Sequence, residues 1–391
     1  MRLNTRLEDV YKAVSSCLKC GMCTYGEWPN NYTICPMYSH DKCFTFSGGG
    51  FMYLAKGLIE NRLAFDSTVC DFLYSCPGCL ACDDICEVIP CFEPHTHNFD
   101  IIRLMRHEAV KRGLVSNQKI RGILKQNQDY EETALSNEDN PLSLPEKIYE
   151  KDSKQVLFVE WGLLKSDKNM YQSVLRIFQK MGKTISVISD RGVNFPELYD
   201  LGFWKEIKKY LTTKFDLREL EGKELIFLNP HLQEFFVHRC PEIVSSYKNI
   251  KIEVRHISEA LLNALKKGEL KDKKGGRKVK VSYHDPCYLG RGLRVYDPPR
   301  ELLRLTKGVE LIEMERIRGD SFCCGARAGD SYFPNLSRKT ALKRLDEFKK
   351  TKADLLITAC PHCRTIFQKV LDKKERSKVK DLTEFVEERV E

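Results

Sequence analysis

Cysteines are the residues of this chain best suited to chemistry: there are 17 among 391 residues, and most stand at short, regular intervals. Two runs in the N-terminal part each have three cysteines at two-residue gaps and a fourth nearby. The first contains Cys17, Cys20, Cys23 and Cys35, and the second contains Cys76, Cys79, Cys82 and Cys86. Zinc also binds C-x2-C pairs, but a tetrahedral zinc site takes two pairs and leaves the third cysteine of a run surplus. Three thiolates at this spacing bind three irons of one cube, so the runs predict two cubane 4Fe–4S clusters.

Two such runs are the pattern of a two-cluster ferredoxin, in which the fourth cysteine of each run binds the other cluster. One cluster is therefore assigned to Cys17, Cys20, Cys23 and Cys86, and the other to Cys76, Cys79, Cys82 and Cys35. The proline that usually follows the last cysteine is missing after Cys86, where the chain reads CEVIPC, so Cys91 stays open as the alternative ligand. The long stretch between the runs, residues 36–75, indicates a helical variant of the ferredoxin fold.

Five further cysteines stand near the C-terminus in three groups, each separated from the next by 35 residues: Cys287, the adjacent pair Cys323 and Cys324, and Cys360 with Cys363. Adjacent thiolates are hard to arrange around one zinc ion, and a disulfide between neighbours would be strained. Five thiolates suit a larger cluster. Glycines beside these cysteines would let the backbone approach it closely, namely Gly290, Gly292, Gly325 and Gly329.

The elements that must position these cysteines change along the chain. Amphipathic stretches at 7–16, 51–64 and 97–113 predict helices, with three glycines at 48–50 as a break before the second. From residue 154 onward, short apolar runs alternate with helical segments. They lie at 155–161, 183–189, 224–230, 250–257, 278–287, 309–315 and 353–363. This alternation predicts a parallel α/β sheet with the C-terminal cysteines at strand ends, where such sheets bind ligands.

The α/β part repeats itself. ADLLITACPHCRTIF aligns with KELIFLNPHLQEFF, and KVKVSYHDPCYLG aligns with DSKQVLFVEWGLL, so two modules arose by duplication. The earlier module has Trp161, Asn229 and Leu232 in place of cysteines. We predict a helical domain over 1–112, a connection over 113–153, a module without cluster ligands over 154–266 and an intact module over 276–391. The basic run at 264–280 is a solvated connection or a docking site for an acidic partner.

Composition excludes several classes of protein. The apolar and charged fractions, 42% and 30%, are those of a globular chain. The polar N-terminus lacks the apolar segment of a secretory signal, and no apolar run is long enough to span a bilayer. We therefore expect a cytoplasmic protein whose cysteines serve metal or redox chemistry. Cys43, Cys70 and Cys240 have no partner at ligand spacing and are predicted to be buried core residues. His95 and His97 are expected at a helix start or on the surface rather than on a metal.

The motifs HDPCYLGRG, FCCG and CPHC resemble the cysteine-rich CCG domain of heterodisulfide reductases and related iron–sulfur oxidoreductases. The N-terminal half resembles the dicluster ferredoxin domain that accompanies it, and GGGFMYLAKGLIENRL is similar to a helix of glycolate-oxidase-type iron–sulfur subunits. The resemblance implies an α-helical dicluster ferredoxin-like domain followed by a duplicated, Rossmann-like α/β CCG domain. It further implies that the five C-terminal cysteines hold a noncubane 4Fe–4S cluster, at which a disulfide is split with electrons delivered by the cubanes.

These expectations define two functions. In the first, a flavoprotein or ferredoxin-type donor passes electrons to the chain, which reduces or forms a disulfide on a small molecule or protein. In the second, the chain is the iron–sulfur subunit of a flavin-linked 2-hydroxyacid or glycerol-3-phosphate dehydrogenase that passes electrons to quinone, with any membrane association through a partner. No G-x-G-x-x-G fingerprint is present, so the flavin would sit on another chain. His284 and His362 flank the C-terminal site and are either proton donors or structural hydrogen-bonding groups. A third hypothesis, a zinc-containing module that binds nucleic acid, is disfavoured.

Overall fold

The computed structural model describes residues 5–26, 32–92, 96–115, 118, 120, 122–123, 150, 153–190, 192–213, 215, 217–273, 277–326 and 332–391. His95, Gly329 and most of the predicted connection over 113–153 lie outside these residues. No helix in the described parts of the chain has both the length and the apolar character needed to cross a membrane.

The N-terminal part is helical, as predicted. Its α-helices are α1 Tyr11–Ser15, α2 Met22–Tyr25, α3 Pro36–Asp41, α4 Gly48–Ile59, α5 Ser67–Ser75, α6 Ala81–Ile85 and α7 Asn98–Lys111. Helices α4 and α7 pack together through apolar side chains that recur at helical spacing, including Met52 and Ala55 on α4 and Ile102 and Met105 on α7. These packed helices support the segments that contain the two cysteine runs.

The glycines at 48–50 are not a break before a helix, and that prediction was wrong. They form the first turn of α4, because the Ser47 side chain caps the helix by accepting a hydrogen bond from the Gly50 N–H at 3.1 Å. The predicted helix at 7–16 is also divided, since a 3-10 turn at Leu7–Val10 precedes α1.

Two four-stranded parallel sheets follow. The first contains β1 Gln155–Val159, β2 Ser186–Ser189, β3 Glu224–Phe227 and β4 Glu253–His256 in the order β2-β1-β3-β4. The second contains β5 Val279–His284, β6 Val309–Leu311, β7 Leu355–Thr358 and β8 Val379–Asp381 in the order β6-β5-β7-β8. The same strand order in both confirms the predicted duplication and parallel pairing. Strand β8 was not predicted from the sequence, because its three residues do not form an apolar run.

Helices cover both sheets. The first module contributes α8 Trp161–Ser166, α9 Lys168–Lys180, α10 Phe195–Asp200, α11 Trp204–Thr213, α12 Pro230–Glu234, α13 Cys240–Ile243 and α14 Ile257–Lys266. The second contributes α15 Asp297–Leu305, α16 Pro334–Thr351, α17 Pro361–Val370 and α18 Leu382–Arg389. One apolar core runs through both modules, with Leu157 and Ile226 of the first sheet and Val281 and Ile357 of the second among its residues. The modules therefore share buried surface instead of standing apart.

Asp200 joins all three parts of the molecule. Its carboxylate accepts hydrogen bonds from Arg103 Nε of the helical part at 2.7 Å and from the Tyr288 hydroxyl of the second module at 2.9 Å. His231 Nε2 of the first module lies 3.3 Å from the same carboxylate. Asp200 itself belongs to the first module and is only 3% exposed. A buried polar contact of this kind fixes how the three parts meet.

Candidate iron–sulfur sites

The first candidate site is an open cavity between α2, α6 and the segment before α2. It is lined by all four cysteines assigned to the first cubane cluster: Cys17, Cys20, Cys23 and Cys86. Cys20 is exposed, so this is the site nearest to solvent. Cys91 does not line the cavity, and its Sγ donates to the Glu87 carbonyl oxygen at 2.9 Å. The geometry therefore favours Cys86 over Cys91 as the fourth ligand.

The second candidate site lies deeper and brings together the other predicted set. Cys35, Cys76, Cys79 and Cys82 line it, and Cys23 of the first site also reaches its wall. Burial raises the pKa of the Cys76 thiol to about 12. Buried thiols ionise when a metal replaces their protons. Four thiols around one cavity fit a cubane cluster.

The third candidate site collects the five C-terminal cysteines. Cys287, Cys323, Cys324, Cys360 and Cys363 line one cavity, and all except Cys287 are buried. It lies beyond the carboxyl ends of β5 and β7, where the strand order reverses and parallel sheets bind ligands. The helical part contributes Pro77 to the wall, and the first module contributes Pro230 and His231. All three parts of the chain thus close around this site.

The second and third sites touch. Cys79 of the second and Cys323 of the third pack in one buried cluster, and a hydrogen bond between their thiols lowers the pKa of Cys79. Arg291, which is 6% exposed, holds this junction: its Nε donates to the Cys79 carbonyl oxygen at 2.8 Å and its Nη1 to the Ser321 carbonyl oxygen at 2.7 Å. A fixed positive charge between two groups of thiols favours anionic ligands on both sides.

Comparison with known proteins places this chain among iron–sulfur proteins. Residues 281–368 match the family model of the cysteine-rich CCG domain. The chain is 24% identical over 376 residues to the probable iron–sulfur-binding oxidoreductase FadF of Bacillus subtilis, covering 88% of this chain and 50% of that protein. It is 40% identical over 118 residues to one subunit of the dihydromethanophenazine:CoB–CoM heterodisulfide reductase of Methanosarcina acetivorans, covering 30% of this chain and 29% of that polypeptide.

The chain contains a cysteine-rich CCG domain and is similar to iron–sulfur oxidoreductases that include a heterodisulfide reductase subunit.

A third relative is the EtfAB:quinone oxidoreductase of Syntrophomonas wolfei, 32% identical over 176 residues, which cover 41% of this chain and 23% of that enzyme. The chain thus spans half the length of FadF and less than a third of the other two relatives. The predicted resemblance to heterodisulfide reductases and the CCG domain is confirmed. Which cysteine binds which iron stays a prediction, although the folded chain brings each predicted set together.

Gly48 lies between the cysteines of the first site and those of the second. A Cβ at this position would lie 2.6 Å from the Cys82 Cβ and 3.2 Å from the Cys23 Cβ. The next residue donates its backbone N–H to Cys23 Sγ at 3.2 Å. Glycine is therefore required where α4 begins between the two thiol sets, and backbone N–H groups near sulfur are typical of iron–sulfur sites.

Gly48→Ala is expected to lose the iron of at least one cubane cluster, about four irons per chain on the count of four per cluster. The added methyl group would displace Cys82, Cys23 or both from their cavities. Iron analysis and EPR of the anaerobically purified protein measure the loss. Gly162→Ala is the matched control, because a Cβ there meets no atom within 4 Å. Full iron content in Gly48→Ala would show that the structure tolerates the methyl group and that glycine is not required at this position.

The two histidines of the site have different surroundings. His362 lines the third cavity, and its Nε2 lies 3.2 Å from Asn229 Nδ2 and 3.6 Å from Glu160 Oε1. His284 is 1% exposed, and its Nδ1 lies 3.1 Å from Nε of Arg344. Burial lowers the pKa of His284. His362 therefore faces the cavity and the first module, whereas His284 lies behind the cysteines.

In the first module, other residues occupy the positions at which the second module has cysteines. The Trp161 backbone N–H donates to Asp190 Oδ1 at 2.9 Å, Leu232 is 1% exposed, and Asn229 Nδ2 donates to Glu160 Oε2 at 2.6 Å. No group of thiols is present among the described residues of this module. That this module binds no cluster stays a prediction.

Sequence reasoning missed Glu160 and Arg291, although both help to build the third site. Arg291 stands between the glycines of CYLGRG, but its partner Cys79 is 212 residues away in the chain. The repeated Pro-His pair was the available signal for the contact between modules, because Pro230-His231 lines the cavity to which Pro361-His362 belongs.

The remaining predictions have mixed outcomes. Cys70 and Cys240 are buried as expected, but the prediction for Cys43 was wrong: it is exposed at the start of a short 3-10 turn, where its Sγ lies 3.6 Å from Thr45 Oγ1. His97 is exposed at the start of α7 and makes no side-chain cap. Gly325 has a φ of +84° and donates its N–H to Cys323 Sγ at 3.3 Å.

Gly290 lies against an aromatic ring. The atoms nearest to a Cβ at Gly290 belong to the Tyr296 ring, at 2.5 Å, so glycine makes room for that ring. That Gly290 also lets the backbone approach a cluster stays a prediction. At Gly292, a Cβ would meet Glu234 Cγ at 3.3 Å and Leu80 Cδ1 at 3.4 Å.

Proposed function

We propose that the chain is an electron-transfer and catalytic subunit of a heterodisulfide reductase-like oxidoreductase, with two cubane 4Fe–4S clusters in the helical part and one noncubane 4Fe–4S cluster in the CCG domain. The observation that carries this proposal is the order of the three thiol-lined cavities. Cys23 reaches both the first and the second, and Cys79 contacts Cys323 between the second and the third. Adjacent cavities of this kind suit electron transfer from the exposed first site to the buried third.

When bound, the clusters would supply one-electron carriers in series and, at the CCG domain, iron that a sulfur atom can approach. Reduction of a disulfide takes up two electrons and two protons, breaks one S–S bond and forms two thiols. A reduced flavoprotein or ferredoxin-type partner would supply the electrons. In the opposite direction, two thiols give up the same electrons and protons and form the disulfide, which is either a small molecule or part of a protein.

The residues around the third cavity contribute in three ways. Pro77, Pro230 and Tyr288 lie in the wall of the cavity and would limit the access of water to it. Arg291 adds a fixed positive charge at the entry from the second site. Asn229 Nδ2 donates to His362 Nε2, so the hydrogen of the neutral imidazole lies on Nδ1, and His362 is the candidate group to hold the proton that a leaving thiolate takes up. With one cysteine-rich site, one sulfur of the disulfide would be held while the other leaves as a thiol.

A second function is favoured by the similarity to EtfAB:quinone oxidoreductase. There the chain would be the iron–sulfur partner of a flavin-linked dehydrogenase, for a 2-hydroxyacid or glycerol 3-phosphate, and would pass electrons toward quinone. The third site would then relay electrons without cleaving a disulfide. The two functions differ in whether the isolated chain reduces a disulfide.

Anaerobic purification from the native host, followed by iron analysis and a turnover assay, tests the proposal. We expect about twelve irons per chain, four for each cluster, with broad visible absorption. A reduced viologen should drive thiol release from a disulfide. Co-purification with a flavoprotein and electron transfer to a quinone analogue, without thiol release, would favour the second function. Colourless protein with bound zinc would overturn both.

A further inference from the structure

A buried arginine restricts what His284 can do. Arg344 is 0% exposed, and its guanidinium is held on several sides: Nη1 donates to the Arg316 carbonyl oxygen at 2.9 Å, Nη2 donates to Ser321 Oγ at 3.2 Å, and the Glu347 carboxylate accepts from Nη1. Its remaining nitrogen, Nε, donates to His284 Nδ1 at 3.1 Å. A guanidinium nitrogen in a protein donates and never accepts.

The direction of this hydrogen bond fixes the tautomer of the imidazole. Because Arg344 Nε donates, His284 Nδ1 must be the unprotonated acceptor, and the hydrogen of the neutral ring lies on Nε2. That Nε2 is buried and has no hydrogen-bond partner in the described chain. A ring nitrogen of His284 lies within 4.8 Å of Sγ of both Cys324 and Cys363, and with Nδ1 engaged by Arg344, Nε2 is the nitrogen left to face them.

Two other roles conflict with the same contact. Binding of iron by Nε2 would need a lone pair there, which moves the hydrogen to Nδ1, against the N–H of Arg344. A doubly protonated imidazolium would place a hydrogen on Nδ1 as well. Both arrangements set two donors against each other, beside a cation, in a buried place. The ring that satisfies Arg344 is the one with an N–H directed at the cysteine sulfurs.

We propose that His284 is an N–H···S donor to the cysteine sulfurs of the third site, with Arg344 as the positioning residue that holds the required tautomer. The inference deepens the proposed function and rests on it, because Cys324 and Cys363 must hold the cluster. A hydrogen bond to a thiolate ligand stabilises the electron-rich, reduced state of an iron–sulfur site and so raises its reduction potential. His284 thereby makes the third site a better electron acceptor from the second.

The test compares His284→Gln with His284→Leu in the full chain. Glutamine carries an N–H donor close to the position of the histidine Nε2 but neither binds iron well nor acts as an acid, whereas leucine has no donor. We expect the full iron content in both variants, a midpoint potential of the third site near the wild-type value in His284→Gln, and a lower potential in His284→Leu. An EPR-monitored redox titration measures the potentials. His238→Gln is the control and should leave the potential unchanged, because His238 is exposed and lines none of the three thiol cavities.

A measurement on the unmodified protein covers the case in which a variant fails to fold. Pulsed EPR of protein labelled with ¹⁵N-histidine should detect a weakly coupled nitrogen at the third site, as a hydrogen bond gives, and not the strong coupling of an iron ligand. Strong coupling, or an unchanged potential in His284→Leu at full iron content, would overturn the inference and leave the proposed function standing. Wild-type protein with only about eight irons, on four per cluster, would overturn both.

Discussion

Cys324→Ser is expected to abolish disulfide turnover while leaving the EPR signals of both cubane clusters in place. Cys324 is 4% exposed, lines only the third of the three thiol cavities and lies within 4.8 Å of ligand atoms of Cys363 and His284. A serine hydroxyl is a harder, less acidic donor than a thiol and binds iron–sulfur clusters poorly. We expect about eight of about twelve irons to remain and thiol release driven by a reduced viologen to fall to background.

Cys91→Ser is the matched control, since Cys91 is an exposed cysteine that lines none of the three cavities. It should keep the full iron content and turnover. Wild-type turnover in Cys324→Ser would show that the third site is not where the disulfide reacts. Loss of a cubane signal in Cys91→Ser would instead assign Cys91, and not Cys86, as the fourth ligand of the first cluster.

Much of the candidate site could be predicted because cysteine spacing is a local property. C-x2-C runs confine their thiols to one turn of chain, and the cavities collect the sets that the spacing defined. The parallel sheets were also predictable, since apolar strands such as Gln155–Val159 and Leu355–Thr358 are buried on both faces and read as continuous apolar runs. The Pro-His repeat then revealed the duplication that the matching strand order bears out.

What sequence could not provide are contacts between residues far apart in the chain. Arg291 and Cys79 are separated by 212 positions and Arg344 and His284 by 60, so no periodicity or motif links them. Their pairing depends on how the three parts of the molecule pack. The same holds for Gly48, which resembled a loop residue because glycines weaken helices, yet begins α4 since the approach of Cys82 leaves no room for a Cβ.

Asp200→Asn is expected to lower the free energy of unfolding by about 3 kcal/mol, because it breaks a buried ion pair while leaving the cation in place. Arg103, whose side chain is 1% exposed, would keep only Asp100 as an anionic partner within salt-bridge distance in the described chain, at 2.8 Å, and Arg239 also pairs with Asp100 at 3.1 Å. The substitution keeps the shape of the side chain, so the expected loss is electrostatic rather than a packing defect. Urea unfolding of the anaerobic holoprotein measures it.

The position of Asp200 predicts which contacts weaken first. Its carboxylate joins Arg103 of the helical part to Tyr288 of the second module, so the variant should loosen that junction before either sheet unfolds. Limited proteolysis should then release the helical part at lower urea than in wild type. Asp346→Asn is the control, since that side chain is 68% exposed and its Lys349 partner lies 3.9 Å away; it should change stability by less than about 0.5 kcal/mol. Equal stability of the two variants would mean that the Asp200 carboxylate contributes little to holding the three parts together.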